Sequence, residues 1–240
     1  MDPEELKIRQ QICDTGKRLF DRGMVAANDG NITVRLGEHE FLCTPTGVSK
    51  GFMTPDIICK TDENGKVTDA SEGSRPSSEI KMHLQVYRER PDVRAVVHAH
   101  PKYATAFAVT GHPLNKPIMT EAVVALGCVP LAPYATPSTV EVPDSIKPYL
   151  NDFDAVLLES HGALAWSTDL ESAYLKMESL EFYAELMYRS RVLGGTEGFS
   201  KKQIAKLIEV RHNMNAPGRY PADRTGGKLC YKCEKCIWDI

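Results

Sequence analysis

Apolar residues recur at helical spacing in some stretches of the chain and run together in others. From about Glu4 to Arg22, Ile8, Ile12, Gly16 and Leu19 fall on one stripe, which predicts a helix. Asn28-Asp29-Gly30-Asn31 is a turn cluster, after which Ile32-Thr33-Val34-Arg35-Leu36 reads as a strand and Phe41-Leu42-Cys43-Thr44 as its partner. A hairpin is expected around Glu63-Asn64-Gly65, because Asn-Gly favours the turn twist that paired strands need. Ser77-Ser78 precede a helix with Ile80, His83, Leu84 and Tyr87 on one face, stopping before Pro91. Two apolar runs then read as buried strands, one ending in His98-Ala99-His100 and one leading through Leu158 to His161-Gly162. Tyr103 to Val109 predicts a short helix with Ala104, Phe107 and Ala108 inward, and a further helix runs from Val142-Pro143 to about Tyr149. The longest helix follows Asp169 as N-cap, with Leu170, Ala173, Met177, Leu180, Ala184 and Met187 as its stripe. The last starts at Ser200, where Gln203 completes a capping box.

Strands and helices mix without strict βαβ alternation. That pattern predicts one α/β domain whose mixed or antiparallel sheet lies between helices. A chain of 240 residues can bury one substantial core, and no Pro/Gly/Ser-rich linker divides it.

Charge removes several function classes. With 29 basic and 32 acidic residues the formal charge is −3, so there is no electrostatic footprint for nucleic acid and no basic face for a membrane. The start, Met1-Asp2-Pro3-Glu4-Glu5, is acidic rather than apolar, and no stretch approaches the roughly 20 apolar residues of a membrane span, so the expectation is a cytoplasmic protein. Cys13, Cys43, Cys59 and Cys128 lie in apolar segments and read as small buried hydrophobes of a reducing compartment. Cys230, Cys233 and Cys236 crowd the end as C-x-x-C-x-x-C. They could bind a metal, but the run lacks a fourth ligand, and reduced free thiols are the simpler expectation.

The histidines carry the chemistry. Alternate residues on a strand face one side, so His98 and His100 can reach a single ion, and His161 sits at the end of a second buried strand. Three imidazoles with an open position is how proteins hold catalytic zinc. His39, His83, His112 and His212 read as ordinary surface or helix positions. Gly30-Asn31, Thr46-Gly47 and Ser77-Ser78 each have the chemistry of an anion site, although any one alone is equally a turn or a cap. Glu79 opens a helix just ahead of the histidine strand. It is either a first-turn glutamate favouring the helix dipole or a carboxylate beside the metal, able to ligate it or carry a proton.

In order, Gly30-Asn31, Pro45-Thr46-Gly47, Pro76-Ser77-Ser78-Glu79, Val97-His98-Ala99-His100, Ala132-Pro133-Tyr134-Ala135-Thr136 and Ser160-His161-Gly162 resemble the class II aldolase/adducin-like family, and within it the L-fuculose-1-phosphate aldolase group. The resemblance covers roughly residues 4 to 212. It implies a three-layer α/β/α sandwich with a central mixed, largely antiparallel sheet. The family domain would span 1–215, with 216–240 as a tail bearing the cysteine cluster. It also implies a homotetramer with sites between neighbouring subunits.

Residue by residue, the resemblance implies ligation of one Zn2+ per subunit by His98, His100, His161 and Glu79, with Mn2+ or Co2+ as alternatives. Glu79 would also be the acid/base, and Gly30, Asn31, Thr46, Gly47, Ser77 and Ser78 would bind the phosphate of a small sugar phosphate. The implied reaction is reversible cleavage of a ketose 1-phosphate, L-fuculose 1-phosphate or a 5-deoxypentulose 1-phosphate, to dihydroxyacetone phosphate and a small aldehyde. In that reaction zinc acts as a Lewis acid that stabilises the enediolate.

Two departures matter. Glu121 stands where the fuculose-phosphate group has a tyrosine that protonates the aldehyde end. A related methylthioribulose-1-phosphate dehydratase resembles the chain there but lacks Ser-Ser-Glu. Glu121 is therefore a candidate catalytic residue or a loop carboxylate. The second departure is the tail, where Tyr220 is a weak counterpart of the family's closing segment. The alternative reactions on the same site are epimerisation, dehydration and decarboxylation of a sugar phosphate. The pentulose-phosphate epimerase pattern has aspartate in place of Glu79, and a scaffold like the adducin head would have lost the histidines.

Overall fold

A computed structural model describes residues 2–216, 218 and 219. In chain order the elements are α1 (Pro3–Asp21), β1 (Asn31–Arg35), β2 (Phe41–Cys43), β3 (Cys59–Thr61), β4 (Val67–Asp69), α2 (Ile80–Glu89), β5 (Ala95–Ala99), α3 (Lys102–Val109) and α4 (Thr120–Ala125). Then follow β6 (Leu131–Ala132), α5 (Glu141–Ile146), β7 (Ala155–Leu158), β8 (Gly162–Ser167), α6 (Leu170–Val192) and α7 (Lys201–Asn213). The eight strands form one sheet in the order β4-β3-β2-β1-β5-β8-β7-β6. Every neighbouring pair is antiparallel except β6 with β7. The mixed, largely antiparallel sheet expected from the sequence is the one observed.

Both faces of the central strands are covered, and successive side chains alternate between two cores. Along β5, Ala95, Val97 and Ala99 join the core that holds Leu19 of α1, Phe107 of α3 and Met177 of α6. Val96 turns the other way, with Leu164 and Trp166 of β8, onto Leu84 of α2 and Ile146 of α5. Helices therefore lie on both faces of the sheet, which is the three-layer arrangement.

Local signals set several boundaries. Asp2 caps α1 through the Glu4 amide, and Pro3 takes the first helical position, where its missing N–H costs nothing. Asp62 accepts from the Asn64 and Lys66 amides at 2.9 Å each, closing the β3–β4 hairpin around Gly65. Asp169 accepts from the Ser172 amide at 2.7 Å to start α6, and the Ser200–Gln203 capping box starts α7.

Three elements depart from the expectation. β8 begins at Gly162, directly after His161, where the sequence reads only as a turn; β6 has two residues; and α4 replaces an expected loop around Glu121. Cys13, Cys43, Cys59 and Cys128 are buried and in no disulfide, with the Cys43 thiol pKa pushed up to about 12 by burial. Among the described residues no helix is long and apolar enough to cross a membrane. Tyr220, Cys230, Cys233 and Cys236 lie outside the described residues.

Candidate metal centre

The antiparallel order brings the motif residues to one end of the sheet. β2, β5 and β7 finish there and β1 and β8 begin there, so Asn31 stands opposite His98 and His98 opposite Leu164. β5 ends at Ala99, and His100 lies one residue beyond it rather than on the strand, held by its amide donating to the Met24 carbonyl at 2.9 Å. His161 sits in the tight turn between β7 and β8, its amide donating to the Leu158 carbonyl at 3.0 Å, with Ser160 in the left-handed region at φ 58°. Two glycines let backbone pass close to the histidine strand. A Cβ on Gly162 would lie 2.6 Å from the Ala99 carbonyl oxygen and 2.6 Å from the His100 ring, and one on Gly30 (φ +75°) would lie 2.9 Å from the His98 carbonyl oxygen.

Three imidazoles converge at this end. Ring centroids are 4.9 Å apart for His98–His100, 4.7 Å for His98–His161 and 5.0 Å for His100–His161. One ligand nitrogen from each lies within 4.8 Å of the others. His98 is wholly buried, and burial with the neighbouring His161 and His100 holds its pKa well below the usual imidazole range, so it is neutral. His98 Nδ1 lies 2.9 Å from the Ala163 carbonyl oxygen, which can only accept, so Nδ1 carries the proton and Nε2 presents a lone pair. That lone pair is 3.1 Å from His100 Nε2. Two ring nitrogens at that separation share a proton or a cation between them. His100 Nδ1 in turn faces Asp29 Oδ2 at 3.4 Å, an orienting carboxylate that spacing alone does not reveal. Burial also lowers the pKa of His161.

Glu79 supplies the anion. It precedes the first turn of α2, its amide 3.3 Å from Ser77 Oγ, and its carboxylate reaches both His98 Nε2 (3.4 Å, from Oε2) and His161 Nε2 (3.3 Å, from Oε1). Asn31 Nδ2 donates to Glu79 Oε2 at 2.9 Å. Glu79 Oε1 and Asn31 Oδ1 are buried without a hydrogen bond. Three neutral-capable imidazoles, one carboxylate and an orphaned carboxylate oxygen at the same point fit a divalent cation of the zinc type.

Behind this cluster α2 and β1 are joined by a polar ladder. Residues 79, 83 and 87 recur every helical turn against 31, 33 and 35 on the strand. Glu79 meets Asn31, His83 and Tyr87 meet Thr33, and Arg35 stacks on the Tyr87 ring at 4.9 Å. The single phenolic proton of Tyr87 goes to the Thr33 carbonyl (3.0 Å), so the Thr33 hydroxyl must donate to Tyr87 Oη (2.8 Å) and accept from His83 Nδ1 (2.9 Å). His83 Nε2 is thus a bare acceptor, fully buried and without a partner. Burial pushes the His83 pKa down to about 3. His83 is therefore no ordinary helix position.

The remaining candidates divide. The loop carrying Thr46 and Gly47 is tied to the one carrying Ser77: the Thr46 amide donates to the Arg75 carbonyl (2.8 Å) and the Ser77 amide to the Thr44 carbonyl (3.1 Å). The Thr44 hydroxyl accepts from the Ile32 amide at 3.1 Å, joining both to the start of β1 next to Gly30 and Asn31. Ser78 is exposed, its hydroxyl 2.8 Å from Ser138 Oγ. Glu121 is apart from all of these. It is exposed in the first turn of α4, its carboxylate accepting from the Thr120 hydroxyl at 2.6 Å, a bond that lowers its pKa.

The comparisons agree with this geometry. The family model described as Class II Aldolase and Adducin N-terminal domain matches residues 10–188. The chain is 34% identical over 178 residues to an L-fuculose phosphate aldolase of Methanococcus maripaludis, covering 74% of this chain and 93% of that one. It is 30% identical over 188 residues to a 3-oxo-tetronate 4-phosphate decarboxylase of Escherichia coli, covering 77% and 87%. A solved L-fuculose 1-phosphate aldolase superposes with a TM-score of 0.77 at 29% identity, covering 85% of this chain and 95% of that one. The chain belongs to the class II aldolase and adducin N-terminal domain family.

Proposed function

We propose that the protein is a divalent-metal-dependent aldolase that reversibly cleaves a ketose 1-phosphate to dihydroxyacetone phosphate and a small aldehyde. One observation carries this reading: His98, His100 and His161 converge with the Glu79 carboxylate among them. The similarity to fuculose-phosphate aldolases supports the substrate class. A cation held by these four residues, Zn2+ in this reading with Mn2+ or Co2+ as substitutes, would supply Lewis-acid polarisation of the substrate's carbonyl and hydroxyl oxygens.

The chain's own residues do the rest. Gly30, Asn31, Thr46, Gly47, Ser77 and Ser78 hold the phosphate through backbone amides, hydroxyls and a carboxamide. In the cleavage direction Glu121 accepts the C4 hydroxyl proton as the C3–C4 bond breaks, and Glu79 returns a proton to C3 of the three-carbon fragment. Glu79 Oε1, buried without a hydrogen bond, is the atom with capacity for that proton. No described contact joins Glu121 to the histidines; in this reading the protein is a cytoplasmic homotetramer and Glu121 acts at a site shared between neighbouring subunits.

The test is product identity. Metal-loaded protein is incubated with L-fuculose 1-phosphate and with a 5-deoxypentulose 1-phosphate, dihydroxyacetone phosphate is followed by a coupled dehydrogenase, and products are weighed. Splitting of the carbon chain supports the reading, and an unsplit chain from both ends it. The decarboxylase relative makes a 3-oxo acid phosphate the informative rival substrate, where carbon dioxide would be the product.

A further inference from the structure

Lys50 opens a 3₁₀ turn, Lys50–Phe52, just after the Thr46-Gly47 loop. Loop lysines ordinarily keep their ammonium in water, and buried ones pair with a carboxylate. Lys50 does neither. It is 1% exposed, and its Nζ donates to two main-chain carbonyls, Asn28 at 2.9 Å and Val48 at 2.6 Å. Among the described residues no carboxylate forms an ion pair with it; Asp29 acts on it only at longer range. Burial lowers its pKa to about 8, so it carries its charge at neutral pH at a cost in solvation.

The two carbonyls belong to different loops. Asn28 leads into Gly30-Asn31, and Val48 follows Thr46-Gly47. The turn itself cannot drift from α1, because the Gly16 Cα lies so near that a Cβ there would stand 2.7 Å from the Lys50 carbonyl oxygen. One ammonium thus straps together two of the three segments that the proposed function reads as the phosphate subsite.

We propose that Lys50 is the positioning residue of the phosphate subsite: it braces the 28–31 turn against the 46–48 turn and leaves between them one positive charge that no carboxylate among the described residues pairs with. The inference rests on reading those loops as phosphate-binding. Amides and hydroxyls offer only dipoles, whereas a fixed cation in a low-dielectric setting attracts a dianion over a longer range. A phosphate dianion therefore completes the charge that the fold leaves open.

The experiment titrates inorganic phosphate into the metal-loaded, full-length protein by calorimetry, beside Lys50→Met, which keeps volume and removes the charge. Phosphate affinity is expected to fall at least tenfold in the variant. The KM for the phosphorylated substrate should rise by a similar factor, while kcat stays within threefold and metal content is unchanged. A folded, metal-replete variant that binds phosphate within twofold of wild type overturns the inference and leaves the aldolase reading standing. A variant that melts lower with unchanged phosphate affinity makes Lys50 a structural brace only, which also overturns it. Wild type that fails to bind phosphate removes the phosphate reading of the loops and the inference with it. Should Lys50→Met fail to fold, wild type labelled at lysine Nζ decides: its slowly exchanging buried ammonium signal should shift on saturation with phosphate, and an unmoved signal refutes the proposal.

Discussion

Two buried polar clusters at opposite ends of the central sheet are completed to different degrees. At the start of β5 and β7, Arg90 is 1% exposed and makes five hydrogen bonds, two to Asp92, one to Asp154 and one each to the Leu150 and Phe153 carbonyls. Asp154 also accepts from Lys176 at 2.6 Å and from the Arg219 amide at 2.9 Å. Every guanidinium donor is used there. At the opposite end, Asn31 Oδ1, Glu79 Oε1 and His83 Nε2 are buried with no hydrogen bond, Ser160 takes a left-handed backbone, and Lys50 bonds two carbonyls and, among the described residues, pairs with no carboxylate. A closed network holds strands in place. Orphaned acceptors gathered at one end cost stability unless something outside the chain completes them. Trp166 Nε1 and Ser167 Oγ, near the Arg90 end, are buried without a hydrogen bond too. At the histidine end, however, such atoms sit among the imidazoles and the carboxylate of the candidate centre, and that company, not orphaning alone, marks the end built for a ligand.

Breaking one residue at each end should separate the two roles. His98→Ala removes a ligand from the open end. Metal content should fall to background by elemental analysis and turnover by roughly a thousandfold or more, while the melting temperature of the metal-free protein hardly moves. Asp154→Ala should do the reverse. It strands Lys176 as a buried charge and takes one of Arg90's two carboxylates, leaving Asp92, an effect worth about 3–5 kcal/mol in denaturant unfolding, yet the folded fraction should keep stoichiometric metal and its kcat. A His98→Ala protein as unstable as Asp154→Ala would erase the distinction between the ends.

Glu79→Gln sharpens the open end itself. The amide keeps size and one ligating oxygen but cannot carry a proton. Metal should largely remain while kcat drops by roughly a hundredfold to ten-thousandfold, the usual range for general acid–base groups. Full activity in this variant would take Glu79 out of the mechanism and leave it a ligand alone.

Sequence periodicity reaches most of the scaffold and only part of this contrast. α1, α2 and α6 carry apolar stripes, α1, α6 and α7 carry N-caps, and β1, β2, β5 and β7 are apolar runs, so their places are legible. β8 is not. Its Gly162-Ala163-Leu164-Ala165-Trp166-Ser167 lacks β-branched residues, and it becomes a strand because β5 and β7 pair with it on both sides. α4 is six residues between Pro117 and Gly127, too short for a periodic signal. The histidines and Glu79 announce themselves by spacing and residue type. His83 and Lys50 do not, since a helical histidine and a loop lysine are ordinary until distant segments bury them. The one local hint for His83 is the run Glu79, His83, Tyr87 at every fourth position on a helix face that otherwise packs inward.

Acid titration offers the smallest effect, and one that reads both ends in a single experiment. In the metal-free protein, burial puts the folded pKa of His83 at about 3, below the ordinary imidazole value of 6.5. The unfolded chain therefore takes up this proton first. The stability contributed by keeping His83 neutral is complete above about pH 6.5 and is lost progressively as pH falls toward 3. Asp92 behaves differently: its hydrogen bonds with Arg90 lower its pKa below 3.8, so its contribution is complete above that value and lost only as pH falls through it. The first unit below pH 6.5 should thus cost roughly 1 kcal/mol per buried histidine, close to the limiting slope for one proton, before the carboxylate end responds at all. Urea unfolding of the metal-free protein at pH 7.0, 6.0 and 5.5 measures the slope. His83→Leu should flatten it by about one proton's worth, and Asp92→Asn should leave it unchanged in that window. If Asp92→Asn flattened the slope and His83→Leu did not, the pH sensitivity would belong to the closed end, and the orphaned nitrogen of His83 would have no energetic consequence.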